Sequence, residues 1–360
     1  MARTNPASPA PRSRRSWVRH MVAWTLAALA VLFFCTHLDK LHRPSSKQLN
    51  SRSVGRFAPR DVSLGTPDIA VKVENIPVTL GKRDVERLLI IGDVHGMGKE
   101  LNTLLEKVIY DKKHDHVILV GDVVTLGLEN KDVVDLARKD KWSAVTGNHE
   151  WQLLAAFDNY NSYDLEKLTS ALKDPQSPEL GKLTSAYNDA HLFPQPDKVK
   201  LAKKIKLDVQ LANDLGDANL KWIRGLPHVL RVGDIQSLGH VVVVHAGFIP
   251  NVEFKDQSLL TILNLMNMQA EDGTYKPVEK GGEWWADAWN SLQKQTEDEQ
   301  KRTTVVYGHD QGRGLKLESN TLGLDSGCKK GGTLTALILK PGKDYETESV
   351  KCRTMKKKYE

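Results

Sequence analysis

The chain has 360 residues, of which 40% are hydrophobic and 27% are charged, and its formal net charge is +6 at pH 7. This length and composition are sufficient to bury a sizeable core within one large domain. Much of the positive charge lies near the N-terminus, and no known nucleic-acid-binding motif accompanies it. We therefore expect no nucleic-acid partner.

The N-terminal segment divides into a basic arm, an apolar stretch and a polar tether. The arm (residues 1–20) is rich in arginine, and no acidic residue precedes Asp39. Residues 21–38 are apolar over about the 17–20 residues that a helix needs to cross a bilayer. No convincing small-residue cleavage site follows them, which predicts a signal-anchor transmembrane helix rather than a removed signal peptide. Residues 39–83 are interpreted as a flexible tether, because their first part lacks apolar periodicity.

The orientation of this membrane helix depends on a small difference in charge. Short basic arms ahead of a first anchor commonly stay in the cytoplasm, which predicts a single-pass membrane protein with a cytoplasmic arm and a lumenal catalytic part. Basic residues also follow the helix, at Lys40, Arg43, Lys47 and Arg52. An arginine-rich start without acidic residues is also typical of a mitochondrial import segment, and that alternative stays open.

Five short runs of β-branched or aliphatic residues end in glycine or a polar residue. They are residues 88–91, 117–120, 143–146, 241–244 and 304–307. Continuous apolar runs of this length predict strands that are covered on both faces. In open α/β sheets the ligand crevice lies at the carboxyl ends of the strands, so we expect the side chains that follow these runs to converge. Those side chains are Asp93, His95, Asp122, Asn148, His245 and His309.

The chemistry of this set predicts a centre with two divalent metal ions. Two carboxylates, an amide oxygen and imidazoles form a mixed oxygen and nitrogen set that suits Mn, Fe, Zn or Co. Asp93 and His95 are two residues apart, so they face the same way in an extended segment and can hold one ion together. Asp122 is the expected bridge to a second ion, which Asn148, His245 and His309 complete. His149 remains as the candidate that protonates the leaving oxygen.

Two more carboxylates accompany these motifs. Glu150 is expected to open the helix after Asn148, where a carboxylate favours the N-terminal end of the helix dipole. Asp325 fits either a turn cap or a carboxylate that orients a ligand histidine.

Residues 151–239 separate the third ligand motif from the fourth and contain helical patches broken by prolines. They predict a helical cap beside the site rather than a separate domain. Trp284, Trp285 and Trp289 follow this region, at a spacing that is typical of core packing. A wall that stacks on a nucleotide base is the alternative interpretation.

The C-terminal part predicts a β-hairpin with two cysteines near its open end. Residues 334–340 and 349–353 are the predicted strands, and they bring Cys352 toward the start of the first strand. A disulfide between Cys328 and Cys352 would suit an oxidising lumen. Its geometry does not follow from sequence, so the pairing stays open.

The ligand motifs resemble those of a known family. Residues 92–96, 121–122, 147–150 and 245–247 resemble the motifs of the phosphoprotein-phosphatase branch of calcineurin-like metallophosphoesterases. Residues 305–310, 323–328 and 331–337 are similar to diadenosine tetraphosphatase-like enzymes and, among these, to fungal endopolyphosphatases. Those endopolyphosphatases are vacuolar and membrane-anchored, which implies a catalytic part in the lumen of a vacuole.

The resemblance covers about residues 88–339 and implies both a fold and a set of roles. The implied fold is α/β (α+β, four layers), with a central β-sandwich flanked by helices in a domain over residues 84–354 and a basic tail at 355–360. The implied ligands of the first ion are Asp93, His95 and Asp122, and those of the second are Asp122, Asn148, His245 and His309. His149 would be the general acid.

The chain also departs from the family pattern. Protein Ser/Thr phosphatases carry an Asp and an Arg after the second motif, at positions that correspond to Thr125 and Leu126. The Asp that would orient the general acid and an Arg that would grip phosphate are therefore missing. Thr146 and Gly312 stand where further arginines are expected, which leaves Arg313. Fewer guanidinium groups weaken the recognition of a single compact monoester.

Lysines spread along a groove could hold a chain-like polyanion instead. Lys329 and Lys330 directly follow Cys328, near the predicted centre, so they join Arg313 as candidate substrate-binding residues. A second basic run covers residues 198–206. Charge runs are usually solvated faces, and for this run both interpretations stay open.

These observations predict a membrane-tethered metallophosphatase that hydrolyses phosphoanhydride bonds. Inorganic polyphosphate is the first expected substrate, and dinucleoside polyphosphates of the diadenosine tetraphosphate type are the second. Protein phosphoserine and phosphothreonine are third, because Thr125 and Leu126 disfavour them. An inactive relative that binds metal or polyphosphate as a scaffold is the alternative from a different class.

Overall fold

The structure is a computed structural model, and it describes residues 69–82, 85–193 and 195–354. The predicted basic arm (1–20), membrane helix (21–38) and basic tail (355–360) lie outside these residues, as does most of the predicted tether. Within the described ranges, no helix combines the length and the apolar character that crossing a membrane requires.

The strands form two large sheets and one small sheet. They are β1 (Val73–Asn75), β2 (Arg87–Ile91), β3 (Asp115–Leu119), β4 (Ser143–Ala144), β5 (Val229–Ile235), β6 (Gly239–Val244), β7 (Asn267–Glu271), β8 (Thr274–Val278), β9 (Glu283–Trp284), β10 (Thr303–Tyr307), β11 (Lys316–Leu317), β12 (Thr321–Gly323), β13 (Thr333–Leu339) and β14 (Glu346–Lys351). The first sheet has the order β14-β13-β2-β3-β4, and the second has the order β1-β5-β6-β10-β12-β11. The small sheet has the order β8-β7-β9.

Helices follow most of the strands. They are α1 (Gly98–Lys107), α2 (Asn130–Lys139), α3 (Asn148–Asn159), α4 (Ser162–Ala171), α5 (Pro178–Asn188), α6 (Lys198–Leu215), α7 (Asp217–Gly225), α8 (Leu259–Asn264) and α9 (Trp285–Lys294). Short 3₁₀ turns cover Phe254–Asp256, Glu299–Lys301 and Cys328–Lys330.

The two large sheets share one buried core. Ile90 and Ile118 of the first sheet belong to the same buried cluster as Val243 and Val306 of the second. The other face of the first sheet shares a cluster with α1, α2, α3, α6 and α7, and the other face of the second shares one with α8 and α9. Each fully buried aliphatic side chain stabilises this arrangement by about 1.5–3 kcal/mol. The layering of helix, sheet, sheet and helix confirms the predicted α/β fold with a central β-sandwich.

The five predicted strands are confirmed as β2, β3, β4, β6 and β10, with shifts of one or two residues at their ends. β4 has half of its predicted length and contains only Ser143 and Ala144. Val145 and Thr146 leave the strand because their chain turns into the loop that begins α3. Val145 N still donates to the Leu119 carbonyl at 3.1 Å, so the loop stays attached to β3.

The predicted C-terminal boundary of the tether (39–83) is wrong, because residues near that boundary belong to the second sheet. Val73–Asn75 forms β1, which pairs in parallel with β5. Val71 and Ile76 flank this strand and are buried. β1 lies at the edge of the sheet and has three residues. Three residues are too few to show an apolar periodicity that can be recognised from sequence.

The predicted helical insertion (151–239) needs a similar correction. Its helical part runs from α3 to α7, and Leu168, Tyr187 and Ile205 belong to a separate buried cluster within it. Its end, however, contains β5, which pairs antiparallel with β6 in the second sheet. A bulge between Arg231 and Gly233 interrupts that pairing, and the strand is half exposed, so its sequence does not show a continuous apolar run.

The C-terminal hairpin is confirmed, and the cysteine pairing is now decided. β13 pairs with β14 antiparallel, with Leu334 opposite Val350. Cys328 and Cys352 form a disulfide, with their Cα atoms 5.2 Å apart. The bond ties the 3₁₀ turn Cys328–Lys330 to the end of β14.

Candidate metal centre

The predicted ligand residues lie at the carboxyl ends of strands from both sheets. β2, β3 and β4 run parallel in the first sheet, and β6 and β10 run parallel in the second. Parallel neighbouring strands end at the same edge, so the loops that follow them lie close together. The residues placed there are Asp93, His95, Asp122 and Asn148 from the first sheet and His245 and His309 from the second.

Asp122 occupies the middle of this group. Its Oδ2 lies 3.5 Å from His95 Nε2, and its Oδ1 lies 3.3 Å from His245 Nε2. Two sets of donor atoms share Asp122, and the atoms of each set lie within 4.8 Å of one another. The sets are His95, Asp122 and His149, and Asp122, His245 and His309. A carboxylate that faces imidazoles from two sheets has the geometry of a bridging ligand.

The orientation of His245 indicates a cation beside it. Its Nδ1 lies 2.9 Å from the Val120 carbonyl oxygen, which only accepts hydrogen bonds, so Nδ1 carries the proton and Nε2 presents a lone pair. That lone pair lies 2.9 Å from Asn148 Oδ1, which is also an acceptor. The same Asn148 oxygen lies 3.2 Å from His309 Nδ1. Acceptors this close repel each other unless a cation lies among them, so these three residues fit one metal ion.

Asp93 lies on the other side of the centre, between the first sheet and the loop after β10. The His309 backbone N–H donates to both carboxylate oxygens of Asp93 at 3.1 Å, and Asp93 Oδ2 lies 4.0 Å from His95 Nε2. Burial raises the pKa of Asp93 well above its ordinary value, and the charges of Asp325 and Asp122 raise it further. A divalent cation offsets these unfavourable interactions by neutralising the carboxylates.

Several buried polar atoms at this site have no hydrogen-bond partner within the described residues. They are both ring nitrogens of His95, His309 Nε2 and Asp325 Oδ2. Burial lowers the pKa values of His245 and His309 to about 3, so both imidazoles are neutral near pH 7 and offer lone pairs. Buried polar atoms are almost always paired in native proteins. The donor set therefore fits two divalent metal ions.

Thr125 orients His149, a role that the sequence pattern did not predict. Thr125 Oγ1 lies 2.6 Å from His149 Nδ1, on the side of the ring away from the ligands. His149 Nε2 lies 3.8 Å from Asp122 Oδ2, so this nitrogen faces the centre. Burial lowers the pKa of His149 well below its ordinary value, and the charges of His95 and Lys204 lower it further. One signal for this role was present in the sequence: Thr125 has a hydroxyl group at the position where protein Ser/Thr phosphatases carry an Asp.

The two other carboxylates have structural roles that position the ligand loops. Glu150 is fully buried and accepts hydrogen bonds from the backbone N–H groups of Asp122 at 2.8 Å, Gly147 at 2.9 Å and Val124 at 3.0 Å. It therefore joins the loop after β3 to the start of α3, in addition to opening that helix as predicted. Asp325 accepts from Gly327 N at 3.0 Å, which confirms a turn cap.

The backbone at the ligands adopts conformations that L-residues rarely adopt. His95, Asp122 and His309 have φ values of +48°, +47° and +68°. Such left-handed backbone is costly and concentrates at functional sites, where the surrounding structure enforces it. The adjacent glycines are required for a different reason: a Cβ at Gly147 would collide with Asp122, and one at Gly308 would collide with Asp93. The glycine-rich motifs thus permit close approach between ligand loops.

The structure separates the predicted substrate-binding residues. The Arg313 guanidinium donates to Asp310 and, at 2.9 Å, to Asn267 Oδ1, and it lies 4.9 Å from the Trp284 ring centroid. Arg313 is therefore engaged by the protein itself. Lys329 is half-buried and forms no ion pair within the described part of the chain, whereas Lys330 is exposed. Burial raises the pKa of Asp122 and the charge of Lys329 opposes that rise, which places this ammonium within electrostatic range of the centre.

The tryptophans are confirmed as core residues. Trp284, Trp285 and Trp289 are each less than one-tenth exposed and belong to the cluster on the outer face of the second sheet. The Trp285 ring lies edge-on to the Tyr307 ring, with centroids 5.0 Å apart. This packing supports β10, the strand that precedes His309.

Comparisons with known proteins agree with this geometry. A family model described as calcineurin-like phosphoesterase matches residues 86–332, a range that contains all six ligand residues. The chain is similar to the zinc-dependent endopolyphosphatase of Saccharomyces cerevisiae, with 27% identity over 309 residues that cover 82% of this chain and 89% of the yeast protein.

Two other relatives carry a different name. The symmetrical bis(5′-nucleosyl)-tetraphosphatase of Nitrosospira multiformis is 24% identical over 310 residues, which cover 72% of this chain and 94% of the bacterial protein. Among solved structures, a candidate diadenosine tetraphosphatase matches with a TM-score of 0.52 and 27% identity, over 79% of this chain and 99% of that one.

Proposed function

This chain belongs to the calcineurin-like phosphoesterase family, and from that membership we propose that it is an endopolyphosphatase, which cleaves phosphoanhydride bonds inside chains of inorganic polyphosphate. Membership makes it a metal-dependent hydrolase that uses two divalent metal ions. The proposal concerns the substrate and the roles of individual residues.

One observation carries this proposal: the free cation beside the centre is a lysine rather than an arginine. Lys329 has no ion-pair partner among the described residues, whereas Arg313 is held by Asp310 and Asn267. A guanidinium fork fits one compact phosphate group, but an ammonium is a point charge that tolerates a flexible chain in several positions. The similarity to the yeast zinc-dependent endopolyphosphatase supports the same substrate class.

The roles of the ligand residues follow from their positions. When bound, two divalent ions would polarise the phosphoryl oxygens and lower the pKa of a water molecule. Asp122 would hold both ions through its two oxygens. Asp93 and His95 would hold the first ion only. The second ion would be held by Asn148, His245 and His309.

His149 would act on the leaving group. The attacking water releases one proton to solvent as its oxygen bonds to phosphorus, the P–O bond to the departing chain breaks, and the departing oxygen takes the proton that His149 holds at Nε2. Thr125 holds the ring so that Nε2 faces the centre. To give up its Nε2 proton, His149 must carry protons on both ring nitrogens, so Nδ1 stays protonated and Thr125 Oγ1 accepts from it before and after the transfer. Retention of the ligands and of this acid argues against an inactive scaffold.

A second candidate is the hydrolysis of dinucleoside polyphosphates. The bis(5′-nucleosyl)-tetraphosphatase of Nitrosospira multiformis and the candidate diadenosine tetraphosphatase structure favour it. Both candidates break the same kind of bond, and they differ in what the ends of the phosphate chain carry.

Substrate comparison tests the proposal. The purified full-length protein is incubated with long-chain polyphosphate, diadenosine tetraphosphate and a phosphopeptide, in each case with Zn²⁺ or Mn²⁺. We expect polyphosphate to be shortened to chains of intermediate length. Mononucleotide products without polyphosphate cleavage would instead identify a nucleotidase. Phosphopeptide turnover alone would identify a protein phosphatase, and no turnover with any metal would leave the scaffold.

We also propose that the catalytic domain faces an oxidising lumen, with the predicted helix over residues 21–38 as its membrane anchor. The Cys328–Cys352 disulfide supports this, because disulfides are rare in reducing compartments. Protease treatment of intact vesicles tests the orientation: a C-terminal tag should survive until detergent is added. Digestion of the tag in sealed vesicles would contradict the proposal.

A further inference from the structure

A cavity lies between α6 and the loop that follows β3. Its volume is about 760 Å³. The loop contributes Thr125 and Leu126, and most of the remaining lining residues belong to one face of α6. Those residues of α6 are Val199, Lys200, Lys203, Lys204, Leu207, Asp208 and Leu211.

The cavity adjoins the proposed general acid. Thr125 lines it, and Thr125 Oγ1 lies 2.6 Å from His149 Nδ1. Thr125 and Leu126 both adopt left-handed backbone, with φ values of +77° and +67°. Thr125 N donates to Asn130 Oδ1 at 2.7 Å, so the surrounding structure enforces this unfavourable conformation. Thr125 therefore both lines the cavity and contacts His149, and its backbone is held in place.

Three lysines line the cavity, and their surroundings differ. Lys204 Nζ lies 2.9 Å from the buried carboxylate of Asp208, which also accepts from Tyr187 OH at 2.6 Å. Lys200 Nζ lies 3.7 Å from Asp197 Oδ2. Lys203 forms no ion pair with any residue in the described ranges. Lys204 is thus held in place by a buried pair, and Lys203 is the charge that remains available.

We propose that this cavity receives the oligophosphate segment that departs when the P–O bond breaks, with Lys203 as its main cationic contact. This inference rests on the proposed function. The departing oxygen must face His149 Nε2 to receive its proton, so the segment attached to that oxygen leaves the centre alongside the His149 ring, whose other nitrogen contacts Thr125. The cavity begins at that residue, and its lysines lie at steps of three and four residues on one side of the helix.

The lining residues explain how such a segment is held without arginine. Leu126, Leu207 and Leu211 line the same space as the lysines, and Lys203 is exposed, so a flexible polyanion can reach its ammonium from solvent. The bound chemistry is an oligophosphate, which inorganic polyphosphate and a dinucleoside polyphosphate both contain. A purely solvated helix face would instead leave the lysines without any effect on substrate.

Substitution of Lys203 tests this subsite. The variant is Lys203→Gln, and the matched control is Lys206→Gln on the same helix, because Lys206 does not line the cavity. The substrates are long-chain polyphosphate, diadenosine tetraphosphate and p-nitrophenyl phosphate, whose leaving group carries no phosphate. We expect Lys203→Gln to lower the kcat/KM ratio of polyphosphate to p-nitrophenyl phosphate by about tenfold, the size of a charge-assisted hydrogen bond.

The outcomes separate the sources of the oligophosphate. A reduced ratio for polyphosphate alone identifies the inorganic chain as the occupant, and a reduced ratio for diadenosine tetraphosphate alone identifies the nucleotide. Reductions for both support one subsite shared by both substrates. If neither ratio differs from that of Lys206→Gln, the proposal is overturned.

A second measurement tests the subsite even if the proposed function is wrong. If the protein hydrolyses only p-nitrophenyl phosphate, tripolyphosphate is used as an inhibitor of that reaction. We then expect Lys203→Gln to raise the inhibition constant of tripolyphosphate by about tenfold relative to Lys206→Gln. Equal inhibition constants would overturn the subsite independently of the natural substrate.

Discussion

The two sheets of the sandwich contribute different chemistry to the centre. The first sheet delivers both carboxylates, Asp93 and Asp122, together with His95 and Asn148, whereas the second delivers imidazoles alone, those of His245 and His309. Each group lies at the ends of parallel strands, and their atoms approach within 3.3 Å across the junction. Neither sheet holds a complete set of ligands for two ions. The centre therefore depends on the packing between the sheets.

The same division is visible in the electrostatics. Burial raises the pKa of Asp93 well above its ordinary value, with Asp325 and Asp122 adding to the rise, and burial lowers the pKa of His245 to about 3. Each sheet thus disfavours the charged form of the groups that it contributes. Divalent ions favour ionised carboxylates and neutral imidazoles together, so metal binding stabilises the contact between the sheets.

Asp122 is the residue that both sides of the centre share, so Asp122→Asn should have the largest effect on activity. An amide keeps the shape but has one oxygen, so it cannot serve both sides. We expect the loss of both ions and a decrease in kcat on the order of 10⁴-fold or more. Metal content is measured by atomic absorption on the purified protein.

Two other variants control the Asp122→Asn experiment. His245→Ala removes an imidazole from the second sheet only, so it should retain the ion on the side of His95. Asp234→Asn changes an exposed carboxylate of β5 and should retain both ions. Two ions in Asp122→Asn would contradict its bridging role.

His149→Ala tests whether the first sheet also supplies the proton donor. This residue follows Asn148 in the first turn of α3, but the proposed ligand set does not need it. We expect kcat to fall by about 10²–10⁴-fold while both ions remain bound. An unchanged rate would exclude His149 from the mechanism, and a lost ion would identify it as a ligand instead, since its Nε2 lies 3.8 Å from Asp122 Oδ2.

Thr125→Val tests the orientation of that donor and should have a smaller effect. Valine keeps the branched shape but removes the hydroxyl that lies 2.6 Å from His149 Nδ1. We expect kcat to fall by about 10–100-fold, with little further loss in the Thr125→Val/His149→Ala double variant. Thr125→Ser keeps the hydroxyl and should retain most of the activity. Equal losses in the serine and valine variants would show that packing, not the hydrogen bond, matters.

The smallest expected effect concerns stability and compares histidines away from the centre. Burial lowers the pKa of His116, on β3 of the first sheet, to about 4 from an ordinary value of 6.5. The unfolded chain therefore takes up this proton at a higher pH than the folded protein does. The free energy of unfolding should be unaffected above pH 6.5 and should fall by about 1–3 kcal/mol as the pH decreases from 6.5 to 4.

Denaturant unfolding at several pH values measures this dependence, and His116→Asn should show a shallower decrease than the unsubstituted protein. His228 provides the comparison in the second sheet: burial lowers its pKa to about 4, and the Lys72 charge adds to this. The pKa values of the two histidines are lowered to the same extent, so His228→Asn should change the pH dependence by a similar amount. A pH dependence that neither variant alters would exclude both histidines as its source.

The ligand residues were predictable because their signals are local. Asp93, Asp122 and His309 each follow an apolar run and a glycine, and a short range of sequence contains the strand, the turn and the ligand. Other features depend on distant partners. β5 has a weak apolar pattern, so the sequence placed it in the insertion, and it forms a strand because it pairs with β6 and β1. β1 likewise depends on its pairing with β5, so the sequence placed it in the tether.

The individual roles of substrate-side residues were the least predictable. Arg313 was expected to face the substrate, but Asp310 and Asn267 engage it. Thr125 was interpreted as a lost carboxylate, yet its hydroxyl contacts His149 from 24 residues away in the chain. Side-chain partners of this kind have no fixed spacing, so no periodic pattern reveals them. The predicted membrane helix over residues 21–38 lies outside the described ranges and stays a prediction.

By itself, the sequence determined which strands form the sandwich core and which side chains can bind metal, because apolar runs and adjacent glycines act over a few residues. Only the tertiary structure decided how those side chains divide between the two sheets. It also decided that Cys328 pairs with Cys352 and that a lysine-lined cavity adjoins His149. The physical reason is that these contacts join residues far apart in the chain, and their distances depend on how the sheets and α6 pack.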